Sequence, residues 1–159
     1  MKINEAMHRD YQTLQQVRSL RKQLKNLTER TRQGQVKESV AVLESKAAEV
    51  EGGEGGYGRA FLSTSEGRSL TRLNAGLNIL LATVDSADAA PTTEAVSTFN
   101  DLNKALDQQL AGWDKIKTKD VPELNLKLKR SGEPQLNPEA ATATEDWHSN
   151  HDRAGDDEP

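Results

Sequence analysis

Two short stretches share one pattern: Glu5-Ala-Met-His8 and Glu145-Asp-Trp-His148. On a helix, Glu and His three apart face the same way. Two such pairs, with a glutamate from each of two further helices, can hold two metal ions inside a four-helix bundle. The chain offers the pattern without the setting. Glu5 and His8 stand at the start of the first helical stretch, and Glu145 and His148 lie in a polar C-terminal segment. No acid is expected on the apolar stripe of any helix, so no inward carboxylate cage forms and the two pairs read as coincidence.

Other reactive constellations fare no better. His148 and His151 lack a third fixed ligand for a transition metal. With two of the three histidines in that segment, no ordered Ser-His-Asp set is available. A glycosidase-type carboxylate pair needs a cleft and one raised pKa; these acids read as helix-surface charges. The chain has no cysteine, which removes disulfides, thiolate nucleophiles and Cys-based zinc sites and leaves the compartment open. GGEGGYG, residues 52–58, is glycine-rich, but the Gly-Lys-Ser/Thr of a phosphate-binding loop is absent and no strand precedes it. No catalytic, cofactor-binding or metal-binding residue is expected.

The elements explain this emptiness. Ile3, Met7, Tyr11, Leu14, Val17, Leu20, Leu24 and Leu27 recur every three or four residues, one face of a helix over 3–32 that is about 45 Å long. Gly34 suits its C-terminal cap. Val36, Val40, Leu43, Ala47 and Val50 step as a coiled-coil seam, giving a second helix that stops at the glycines. Ser63 and Glu66 hint at a capping box before a third helix on Leu70, Leu73, Leu77, Leu80, Leu81 and Val84. Asn74 and Asn78, beside that stripe, read as interhelical hydrogen-bonders or surface residues.

Pro91 marks a hairpin turn between helices. Thr92 or Thr93 can cap the fourth helix and Glu94 suits its first turn, whereas Asp85 and Asp88 help to end the third. The fourth carries Val96, Phe99, Leu102, Leu106, Leu110, Trp113 and Ile116, and ends near KTKD. Pro122 can open a short fifth helix on Leu124, Leu126 and Leu128, stopped by Gly132. The expected fold is all-α: an up-down-up-down four-helix bundle with a short fifth helix over residues 1–132, followed by a disordered acidic tail over 133–159.

Bulk properties agree. Hydrophobic residues make up 34% and aromatic residues 4%, so Leu and Val must build the core, which favours helix over strand. The net charge of −4 conceals a basic head, residues 1–37, and an acidic tail whose single base is Arg153. The N-terminal residues have charges throughout and no apolar core of a signal peptide, and the longest apolar patch, Leu77 to Val84, is too short to span a bilayer. Arg9, Arg18, Arg21, Lys22, Lys25, Arg30 and Arg32 line the first helix and suit phosphates, but no aromatic platform interleaves them.

LNAGLNILLATVDSADAAPT and LDQQLAGWDKIKTKDVPELNLKLKRSGEPQL, with LRKQLKNL at 20–27, resemble the C-terminal helical region of bacterial sortilin-like proteins with BNR (Asp-box) repeats, often labelled glycosyl hydrolase or exo-sialidase-like. The features that carry the resemblance are Leu73-Asn74, Val84 with Asp85, Asp88 and Ala90-Pro91-Thr92, Trp113, and Leu124-Asn125 before Leu128. It spans about residues 14–136. In those relatives a propeller lies upstream; here the Asp-box Ser-x-Asp-x-Gly-x-x-Trp is missing, since Ser65 and Leu70 stand where Asp and Trp belong. The resemblance implies an accessory helical module with no catalytic residue to carry over. The expected function is non-catalytic protein–protein interaction, through a propeller-type partner or self-association, without membrane contact. Polyanion or nucleic-acid binding through the basic first helix is the alternative.

Overall fold

The computed structural model describes residues 2–31, 34–52, 69–86 and 90–140. These form helices α1 (Ile3–Arg30), α2 (Gln35–Glu51), α3 (Leu70–Asp85), α4 (Thr93–Lys115) and α5 (Val121–Arg130), with a π turn at Ile116–Asp120 between the last two. No strand occurs among the described residues. The all-α class is as the periodicities predict, and α1 with α2 and α3 with α4 pack as antiparallel neighbours.

Three columns make up the bundle. α1 is the first, its 28 residues about 42 Å long. α2 runs down its upper part, where Arg18 and Arg21 reach Glu44 and Glu51. α3 continues downward along its lower part, where Asn74 meets Asp10. α2 and α3 thus lie end to end in one column. Gly52, which closes α2 at φ +79, is so near Ser69 that a Cβ there would collide with the serine side chain. The chain leaves and rejoins the column at one point. Neither α2, with 17 residues, nor α3, with 16, matches α1 in length, and stacking them solves the mismatch.

α4 and α5 form the third column, parallel to α1. Arg9 pairs with Asp107 and Gln16 with Trp113, so both helices climb together. Higher up, Lys46 of α2 bridges Asp120 and Lys127 of α5 donates to Ser39. Pro122 does not open a separate helix. The backbone stays helical from Lys115 through Val121. Proline has no N–H for the carbonyl four residues back and its ring crowds that carbonyl. The π turn widens the helix just before it and carries the column through. Leu124 and Leu128 are buried, but Leu126, predicted to join them, is 61% exposed because it points away from α2.

The caps follow local chemistry. Thr92 Oγ1 accepts from the Ala95 N–H, as expected of a cap after Pro91. Gly34, φ +118, begins α2 rather than closing α1, which ends at Arg30 with Thr31 extended. Gly132, φ +72, closes α5. Its N–H reaches Lys129 O, and the Glu133 N–H reaches Leu128 O. These two bonds form a Schellman motif. The proposed capping box at Ser63, the glycine loop, Asp88 and the segment 141–159 lie outside the described residues.

The core comprises Val17, Leu20 and Leu24 of α1, Val40, Leu43 and Ala47 of α2, Leu70, Leu73 and Leu77 of α3, and Leu106, Trp113 and Leu128 of the third column. It does not end at residue 132. Glu133–Ala140 lies across the top of α1 and α5 and buries Leu136, so the boundary drawn at 132 falls inside the packed domain.

Candidate functional site: a buried carboxylate and two amide clamps

Of the two Glu-x-x-His pairs, only Glu5–His8 lies among the described residues. Glu5 and His8 are not buried, Glu5 pairs with Lys2 at 3.2 Å, and no three His, Asp or Glu side chains come together among the described residues. Glu145 and His148 lie outside those residues.

The basic residues of α1 separate into two groups. Arg9, Arg18 and Arg21 brace the bundle. Arg18 Nε donates to Glu51 Oε1 at 2.9 Å, Arg21 Nε to Glu44 Oε1 at 2.8 Å, and Arg9 pairs with Asp107. The two carboxylates hold the Arg21 guanidinium above its usual pKa, the Glu44 hydrogen bond most strongly. Lys22, Lys25 and Arg30 are left outside these pairs; Arg32 is not among the described residues.

One acid does reach the interior. Asp10 is fully buried, on the line Ile3, Ala6, Asp10, Leu14, Val17, whereas Tyr11, assigned to that stripe from spacing, is 57% exposed. The apolar face of α1 therefore starts one residue away from its expected register and carries a carboxylate in its third turn. Asn74 Nδ2 donates to Asp10 Oδ2 at 2.8 Å, and Asn78 Nδ2 donates in turn to Asn74 Oδ1 at 2.9 Å. The expectation that these asparagines bond between helices holds for Asn74. Among the described residues Oδ1 of Asp10 has no hydrogen-bond partner. Burial pushes the carboxyl up to about 6, against the opposing pull of the Asn74 hydrogen bond and of the Arg18 charge.

A carboxyl near that value suits proton transfer, but general acid–base chemistry needs hydrogen-bond reach to a substrate. Asp10 is enclosed by α1 and α3, and the grooves at α1/α4, α2/α5 and α1/strap are lined by other residues. Through Asn74 it joins α1 to α3.

The second polar feature holds the strap. Asn125 donates to Leu136 O at 3.0 Å and accepts from Leu136 N at 2.7 Å. Gln23 does the same for Asn137, at 2.7 and 2.9 Å. Ser19 Oγ donates to Ala140 O at 2.9 Å. A primary amide has both a donor and an acceptor and so completes an extended backbone as a neighbouring strand would. Trp113 is buried and donates its indole N–H to Gln16 Oε1 at 2.9 Å.

Sequence reading missed Asp10, Gln23 and Ser19. Asp10 had a signal: it sits four residues after Ala6 and four before Leu14. Gln23 and Ser19 had none, since their partner is backbone.

The chain was compared with family models, curated proteins and solved structures, and none matches. In the described residues no helix is long and apolar enough to cross a membrane.

Proposed function

We propose that this chain is a non-catalytic helical module whose work is protein binding, akin to the accessory helical region of sortilin-like propeller proteins. One observation carries the reading. Arg9, Arg18, Arg21, Gln23, Asn74 and Asn125 are engaged in bracing the bundle, while large apolar side chains face water: Val42 is 58%, Ile79 59% and Leu126 61% exposed. Val42 stands at the rim of a groove between α2 and α5 whose other walls carry Glu38, Lys46, Asp120, Glu123 and Lys127. An apolar knob within a charged rim is the anatomy of a small protein contact. The partner is a propeller-type protein or a second copy.

The test compares the native chain with Val42→Asp/Leu126→Asp, both at exposed sites that leave the core intact. Sedimentation gives the mass, and affinity capture from the native host gives the partner. A dimer or a captured propeller protein lost in the double variant supports the reading. A monomer that captures nothing, or a partner that both forms retain, overturns it.

The polyanion reading retains Lys22, Lys25 and Arg30. With Arg9, Arg18 and Arg21 bridged to acids, few free cations remain to release counterions. Binding to heparin that falls steeply with salt would restore it.

A further inference from the structure

The strap sits on the helices as a bound peptide would. Glu133–Ala140 runs antiparallel to α1: Pro134 and Leu136 lie by Leu27 and Arg30, Asn137 is clamped by Gln23, and Ala140 by Ser19. Asn125 of α5 clamps Leu136 from the other wall. Both amides hold backbone N–H and C=O groups, so they fit an extended segment whatever its side chains. Gln23 is itself held in place, since its Nε2 also donates to Ser19 Oγ at 3.3 Å. Leu136 is the strap's one buried side chain, and Leu27 lines the groove beside it.

The strap leaves part of this groove unused. Open space remains between Pro134–Leu136 and the α1 wall, and Arg30 lines it. Lys129 stands one turn above Asn125 on the other wall. Among the described residues neither cation has an ion-pair partner. The strap thus offers a proline where Arg30 would take an acid. Its tether is Gly132, φ +72, with no atom near enough to hinder a swing.

We propose that the groove is a recognition site for an extended acidic segment of a partner protein, and that the strap is the resident such a segment displaces. The segment has a leucine in the place of Leu136 and a carboxylate two residues before it, on Arg30. The clamps supply its backbone bonds, and the two unpaired cations supply the preference over the strap. The short tether keeps the strap at an effective concentration on the order of millimolar, so a segment of equal affinity stays out. This inference rests on the protein-binding reading only in naming a protein segment as ligand. Its test does not touch the α2/α5 groove, so either can fail alone.

Fluorescence anisotropy of labelled peptides against the full chain tests it. The probes are the peptide of residues 133–140, its Leu136→Ala form and its Pro134→Glu form. The chains are the native protein and two with a loosened strap, Leu136→Asp and Asn137→Pro. Asn137 is exposed, and its replacement removes only the N–H that Gln23 clamps, so the second variant keeps its fold if the first does not. A loosened chain is expected to bind the unaltered peptide at least about tenfold more tightly than the native chain does, and not to bind the Leu136→Ala form. The Pro134→Glu form is expected to bind about threefold more tightly still, a gain that Arg30→Gln in the loosened chain removes. Absence of binding to the loosened chains, or equal binding to native and loosened chains, overturns the proposal. So does a Pro134→Glu peptide that binds no better than the strap's own sequence, which would make the strap a structural element alone. A native dimer that is lost when the strap is loosened overturns it too, with a second copy as the occupant.

Discussion

At the α1–α2 contact, Arg21 lies between Glu44 and Glu51, all three with some access to water. At the α1–α3 contact, Asp10 has no access to water and meets one neutral amide. The same helix thus docks its two half-length partners by opposite means. Partly exposed ion pairs gain little and cost little, because water screens the attraction and softens the desolvation. A buried carboxylate with one of its oxygens unpartnered costs stability whenever it is ionised, because nothing replaces the water it lost. The α1–α2 contact tolerates error. The α1–α3 contact does not, and its strength depends on pH.

Removing the amide should break the contrast most sharply. Asn74→Leu leaves the Asp10 carboxylate with no hydrogen bond at all and should cost about 3 kcal/mol at neutral pH. Denaturant titration should show that loss shrinking as pH falls through about 6, where the carboxyl takes up a proton.

Asp10→Asn should act in the other direction. The carboxyl titrates near 3.8 unfolded and about 6 folded, so its contribution to stability is greatest below pH 4 and is lost as pH rises through 6. At 1.36 kcal/mol per unit the full penalty above about pH 7 is about 3 kcal/mol. The new amide N–H has no evident acceptor, so the net gain should be about 1–2 kcal/mol at about pH 8 and should vanish near about pH 4. Unfolding midpoints of the two proteins across this range measure it, and parallel pH profiles would show that Asp10 is not the titrating group.

Arg21→Met should cost about 1 kcal/mol, with the difference from native narrowing at about 0.5 M salt. Smallest of all, Asp107→Asn removes an exposed pair with Arg9 and should cost about 0.5 kcal/mol or less. A larger loss at either site would erase the distinction between the two contacts.

The helices themselves were legible in the residues. The stripes over 14–27, 40–50 and 70–80 bury the side chains that their spacing marks, and Thr92 caps where Pro91 implies. Three features were not legible in the same way. Asp10 stands four residues from both Ala6 and Leu14, and Tyr11 stands four from Met7 and three from Leu14, so spacing alone fits both and the stripe was given to the more apolar residue; the structure buries Asp10 against Asn74. Pro122 resembles a helix start in any local reading, and a π turn that lets a helix pass through it is visible only when α2 packs along both sides of the turn. The strap has one buried aliphatic residue, Leu136, and is held by side-chain amides on two helices far away in the chain, so it has no periodicity of its own.

From the sequence alone came the number and extent of the apolar seams, because a helix writes its buried face into its own spacing. The tertiary structure decided that α2 and α3 share one column, that α4 and α5 act as one rod, and that a carboxylate lies inside. Each of these depends on the matching of lengths and of polar partners between segments distant in sequence, and no local pattern records such a match.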